Sequence, residues 1–214
     1  DMKKLLLLLL FIPLISFGQE FKIDGYSISK VYVLDSVSKE DIHQKINSVI
    51  ATVYNSAQDV IQMNDVNSGK LIIKAMTTIP VKNMNKILYP KMMKNSPETH
   101  DIDHNYTLSF ESRNGRYRMM LSLSQGTTTT TYGTTNHYYT TQLEDYTTLQ
   151  IDVAKAYLDD LYKKGMMGKK KRAILAENIP ENMRNYVASC NKSVKNLMEL
   201  ISSKVLLTKT LEES

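Results

Sequence analysis

Hydrophobic and polar positions along this chain alternate with two periods, and the switches between them outline the fold. Tyr26 to Leu34 (YSISKVYVL) alternates and is rich in β-branched and aromatic residues, which predicts a strand with Ile28, Val31 and Val33 directed inward. Val37 and Ser38 then stand before Asp41 and Ile42 in the arrangement of a capping box and hydrophobic staple. The helix they open carries Ile42, Ile46, Val49, Ile50, Val53 and Ala57 at spacings of three and four, a stripe suited to lie on a sheet. Two β-prone runs, Asp59 to Asn64 and Lys70 to Ile79, flank a turn at Asp65 to Gly69 and read as a hairpin. Pro80 cannot donate to a ladder, so the second strand ends there or continues only at a sheet edge. Val81 to His104 is expected to be a long polar connection.

Asn114-Gly115 suits a two-residue turn and fixes the register of its flanks. With Arg113 opposite Arg116, Phe110 pairs with Met119, Leu108 with Leu121 and Tyr106 with Leu123 on an apolar face. Glu111 then meets Arg118 and Thr107 meets Ser122 on a polar face, as a half-buried antiparallel sheet requires. Gly126 to Thr148 is biased to Thr and Tyr, with strong β-propensity but little to bury; it reads as a loop or an extended hairpin, the loop being preferred. Ile151, Ala154, Leu158 and Leu161 restore a helical period that ends at Gly165, a natural C′ residue. After Pro180, a longer helix carries Val187, Cys190, Val194, Leu197, Ile201 and Val205. The order of elements predicts an α+β fold, an antiparallel β-sheet with helices packed on one face and a C-terminal helical extension.

The amino terminus changes the picture of where this fold works. Lys3 and Lys4, the apolar run Leu5 to Ile15 and Ser16-Phe17-Gly18 have the layout of an export signal cut before Gln19. The run is shorter than the roughly 20 residues that span a bilayer, so no transmembrane anchor is expected. Four segments follow: 1–18 signal peptide, 19–124 sheet domain, 125–148 Thr/Tyr-rich loop or hairpin, and 149–214 C-terminal helices. The expected location is periplasmic or secreted. The net charge of +5 is mild for 214 residues, and the single Cys190 excludes an internal disulfide framework.

Ser56 to Asp65 continuing through Ser68 to Ile72, with Asn114 to Arg118 later, resembles a family of exported bacterial domains of unknown function. The resemblance spans approximately Tyr26 to Ser124. It implies a TBP-like fold and export, and it supplies no catalytic residues. A TBP-like fold raises the question of nucleic acid. The outward positions Thr107, Ser109, Glu111, Arg118, Met120 and Ser122 hold no aromatic wedge, and export removes the chain from the chromosome, so no nucleic-acid partner is expected.

Candidate chemistry is sparse. His100, Asp101, Asp103 and His104 place two imidazoles and two carboxylates within five residues, able in principle to bind a divalent metal, against the plainer reading of a solvated loop before a strand. Lys169, Lys170, Lys171 and Arg172 form a basic segment beside Met166 and Met167; they read as a solvated turn or as a peripheral contact with an anionic membrane. Val194, Leu197 and Ile201 would dock a protein partner if their stripe were exposed. Arg113, Arg116 and Arg118 suit phosphate or carboxylate contacts, with Glu111 satisfying Arg118. Tyr132, Tyr138, Tyr139 and Tyr146 could stack on sugars or simply solvate a loop. The leading expectation is a non-enzymatic binding or structural module of the cell envelope, without a cofactor, whose partner is an envelope protein or ligand. The alternative is a small metal-dependent hydrolytic enzyme built on His100 to His104.

Overall fold

The computed structural model describes residues 20–54, 56–83, 86–87, 89–130, 133–139, 143 and 148–212, with side chains left undescribed over 125–142, 148–150 and 209–212 and at Val153 and Tyr157. The expected signal segment, 1–18, lies outside the described residues, as do Tyr132 and Tyr146 and the side chains of Tyr138 and Tyr139. In chain order the elements are β1 (Lys22–Asp24), β2 (Ser27–Val33), α1 (Lys39–Val53), α2 (Ala57–Val60), β3 (Ile61–Asp65), β4 (Lys70–Lys82), β5 (Thr99–Arg113), β6 (Arg116–Thr130), β7 (Gly133–Tyr139), α3 (Thr148–Lys163) and α4 (Lys169–Glu212). The strands form one antiparallel sheet in the order β1-β2-β6-β5-β4-β3, with β7 paired to β6.

The β5–β6 register is the one that Asn114-Gly115 dictates: Arg113 faces Arg116, Phe110 faces Met119, Leu108 faces Leu121 and Tyr106 faces Leu123. Gly115 supplies the positive φ of 74°. Beneath this apolar face lie Ile42, Ile46, Val49 and Ile50 of α1 and Tyr186, Cys190, Val194, Met198, Ile201 and Val205 of α4, in one buried cluster with Ile28, Leu71, Ile73 and Phe110. Ser38 caps α1 by accepting from the Asp41 N–H at 3.1 Å. α3 ends as expected: Gly165, at φ 70°, donates to the Tyr162 carbonyl and Met166 to that of Leu161, a Schellman closure.

Several expectations need correction, whereas Pro80 meets the edge-strand alternative given for it. In β2 the period of two directs Ile28, Lys30 and Tyr32 toward the helices, so Val31 and Val33 lie on the opposite face. The stripe of α1 ends at Val53, and Ala57 opens the separate α2. β4 continues through Pro80 to Lys82; β3 reaches only Ile73, so Pro80 lies where β4 has β5 on one side and no described strand on the other. β5 accordingly begins at Thr99, not beyond His104. Beside that first part of β5, β6 extends to Thr130 and pairs with β7, so the Thr/Tyr backbone takes the hairpin alternative; β-propensity and an existing ladder to extend outweigh the shortage of aliphatic residues.

α4 likewise begins at Lys169 and runs through Pro180. Lys, Arg, Ala, Leu and Glu between Lys169 and Ile179 are good helix formers, and α3 packs alongside α4. No described helix is long and apolar enough to cross a membrane.

Candidate functional site

With α1 and α4 on one face of the sheet, the other face presents its alternate residues outward. Across the strands the rows run Val31–Arg118–Glu111–Lys70, then Ser29–Met120–Ser109–Ile72, then Ser27–Ser122–Thr107–Lys74. The middle of this face therefore sets serine and threonine hydroxyls beside Met120, Ile72 and Lys74, with Ser27 and Ser122 hydrogen-bonded at 2.7 Å. At the β5–β6 tip the face becomes cationic. Val31, Glu111, Arg113, Arg116 and Arg118 line an open depression of about 210 Å³. Glu111 engages Arg118 at 3.0 Å, as the register requires. Arg113 and Arg116, both exposed, are direct cross-strand partners. Like charges directly opposite one another destabilise a ladder, and here the single carboxylate of the depression is committed to Arg118. Two guanidinium forks stay open to a carboxylate or phosphate.

The four metal candidates are separated by the pleat of β5. His100 and His104 point to the helix side, whereas Asp101 and Asp103 point to the opposite face. Asp103 accepts from the Thr78 hydroxyl at 2.7 Å. Among the described residues no group of three or more His, Cys, Asp and Glu side chains could hold a metal ion. The solvated-loop reading of His100 to His104 fails with the metal cluster, because these residues are strand.

His104 instead belongs to a polar seam that the sequence pattern did not reveal. It is fully buried, with Nδ1 3.3 Å from the Ser124 carbonyl and Nε2 3.0 Å from the Tyr186 hydroxyl. A carbonyl only accepts, so Nδ1 carries the proton and Tyr186 donates to Nε2. Burial pushes the His104 pKa down, opposed by the Ser124 bond and by Asp103. Cys190, one turn beyond Tyr186 on α4, shares a hydrogen bond with that tyrosine, and burial pushes its thiol up to about 11, so it is a poor nucleophile where it stands. Only the four-residue spacing of Tyr186 and Cys190 was visible in sequence; their meeting with His104 depends on tertiary packing.

The expected docking stripe is also internal. Val194 and Ile201 are buried against the sheet and Leu197 is half-buried on the same core, so these residues hold α4 in place. Lys169 and Lys170 are exposed, Lys171 donates to the Tyr89 hydroxyl at 2.5 Å, and Arg172 pairs with Asp159 at 2.6 Å. These four residues form the first turn of α4 and are not a free turn.

Residues 29–124 match the family described as a domain of unknown function (DUF4468) with TBP-like fold. Among solved structures, the chain is similar to a TBP-like protein from Parabacteroides distasonis, with TM-score 0.53 and 11% identity over 85% of this chain and 93% of that one. It is similar also to a DUF4468 family protein from Bacteroides ovatus, with TM-score 0.53 and 11% identity over 89% of this chain and 91% of that one. No curated protein matches. The resemblance read from the helix-to-hairpin segment and the basic turn therefore stands, and with it the α+β TBP-like fold. At 11% identity the structural likeness is one of fold.

Proposed function

We propose that this chain is an exported, non-enzymatic binding module of the cell envelope, and that its ligand presents an anionic group to the β5–β6 tip. The observation that carries this reading is the direct pairing of Arg113 with Arg116 in an open depression whose single carboxylate is already spent on Arg118. An arriving carboxylate or phosphate would relieve the repulsion between the two guanidinium groups and gain bidentate hydrogen bonds. Export rests on the signal-like layout of Met2 to Gly18.

Calorimetric titration of residues 19–214 with pyrophosphate and with citrate tests the ligand class. Binding that weakens about tenfold or more in Arg113→Gln/Arg116→Gln, without loss of thermal stability, supports it. Absence of heat from the unsubstituted protein with both probes overturns it. Sequencing the amino terminus of the cell-fractionated protein tests export: a chain beginning near Gln19 outside the cytoplasm is expected, and an intact Met2 in the cytosol refutes that part.

A further inference from the structure

Two segments eighty residues apart in sequence meet at the start of α4. The loop Tyr89-Pro90-Lys91-Met92-Met93-Lys94 is joined to the α3–α4 corner through Tyr89, whose hydroxyl accepts from Lys171 and whose ring lies 4.4 Å from the same ammonium. Each segment exposes a methionine: Met92 is 81% and Met166 74% accessible. Each also exposes lysines without a hydrogen-bond or ion-pair partner among the described residues: Lys91 and Lys94 on the loop, Lys169 and Lys170 at the corner. A Cβ built on Gly165 or Gly168 would meet nothing within 4 Å, so the backbone of the corner borders open space at both positions. The first turn of α4 holds no acidic residue, which leaves its lysines facing the positive end of the helix dipole.

We infer that this composite patch is a peripheral membrane contact that seats on an anionic bilayer surface. Its chemistry matches such a surface: ammonium groups on long flexible stems reach headgroup phosphates, while projecting thioether chains enter the acyl boundary between them. The binding is two-component. Lysines supply a salt-sensitive attraction, and methionines a salt-insensitive one. The loop leaves the sheet where Lys82 pairs with Thr99, at the end of β5 opposite Arg113 and Arg116, so the patch does not depend on the anion site.

Co-sedimentation of residues 19–214 with phosphatidylcholine vesicles, with and without phosphatidylglycerol, across a salt series tests the inference. Binding to the mixed vesicles alone is expected. Lys91→Gln/Lys94→Gln/Lys169→Gln/Lys170→Gln should weaken it by about tenfold or more and flatten the salt dependence. Met92→Ser/Met166→Ser should weaken binding while keeping the salt slope. Equal binding to neutral and anionic vesicles, no binding to either, or indifference to the methionine pair would overturn it. So would complete competition by soluble polyglutamate with no effect of the methionines, which would mark an acidic protein as the partner.

Discussion

His104 shows how one side chain can link the sheet, a helix and the pH response. Its neutral form is held between the Ser124 carbonyl and the Tyr186 hydroxyl, and burial lowers its pKa below that of the unfolded chain. Above the ordinary histidine value, near pH 6.5, both states are neutral at this position and it adds no pH dependence. As pH falls through that value the unfolded chain binds a proton that the folded chain resists, so stability declines with acidification. The expected result is a urea midpoint that drops between pH 7.5 and 5, with a smaller drop in His104→Gln, and a His104 imidazole NMR signal titrating below the ordinary value. A signal that titrates at or above it would refute the assignment. Alternation in sequence was enough to pair Phe110 with Met119 and Glu111 with Arg118, because turn chemistry fixes register locally. It was not enough to find His104, because its partners lie 20 and 82 positions away and only packing brings them together.

At the scale of elements, two residues set opposite limits on what local rules can tell. Gly69 ends the β3–β4 turn at φ 69°, and a Cβ there would stand 2.5 Å from the Ser112 carbonyl oxygen, backbone that cannot easily yield. Its own carbonyl accepts the Ser112 N–H at 2.8 Å, tying the turn to the end of β5. Gly69→Ala therefore combines left-handed strain with a clash and should cost about 2 kcal/mol or more in chemical denaturation. A change under half that size would show that the turn shifts freely. Here sequence and structure agree, since Asp65 to Gly69 announces a turn and Asp65 accepts from the N–H groups of Asn67 and Ser68. Pro180 is the contrary case. Its missing N–H argued for a helix boundary, yet α4 continues through it because the flanking residues favour helix and α3 supports the preceding turns. Pro180→Ala restores a donor toward the Ala176 carbonyl while enlarging the freedom of the unfolded chain, two effects of opposite sign. The helix term is larger, so a net gain of about 1 kcal/mol is expected and a raised Tm checks it. A lowered Tm would mean that Pro180 itself helps to position Tyr186 against His104.

For the whole molecule, the limits of the recognisable segment and of the folding unit differ. Residues 29–124 carry the family likeness, while the α4 stripe that covers their sheet begins more than sixty residues later. The solved TBP-like structures match over 85% and 89% of this chain, so their likeness extends past that segment. Val194, Met198, Ile201 and Val205 are all nearly or fully inaccessible, and each such aliphatic side chain contributes about 1.5–3 kcal/mol on burial. Their sum is comparable to the whole net stability of a typical domain, about 5–15 kcal/mol. The periodicity of α4 made its apolar face legible, but a period cannot say whether that face turns inward or toward a partner. Core membership of Val194 and Ile201 decides it, and the consequence is that the sheet segment cannot stand without the helix. Residues 19–124 expressed alone should lack a cooperative urea transition and bind anilinonaphthalene sulfonate, whereas residues 19–214 should unfold in one step. Adding the 169–212 peptide to the fragment should reduce dye binding if the loss lies in the uncovered face. A fragment that unfolds cooperatively by itself would show that α1 alone closes the core.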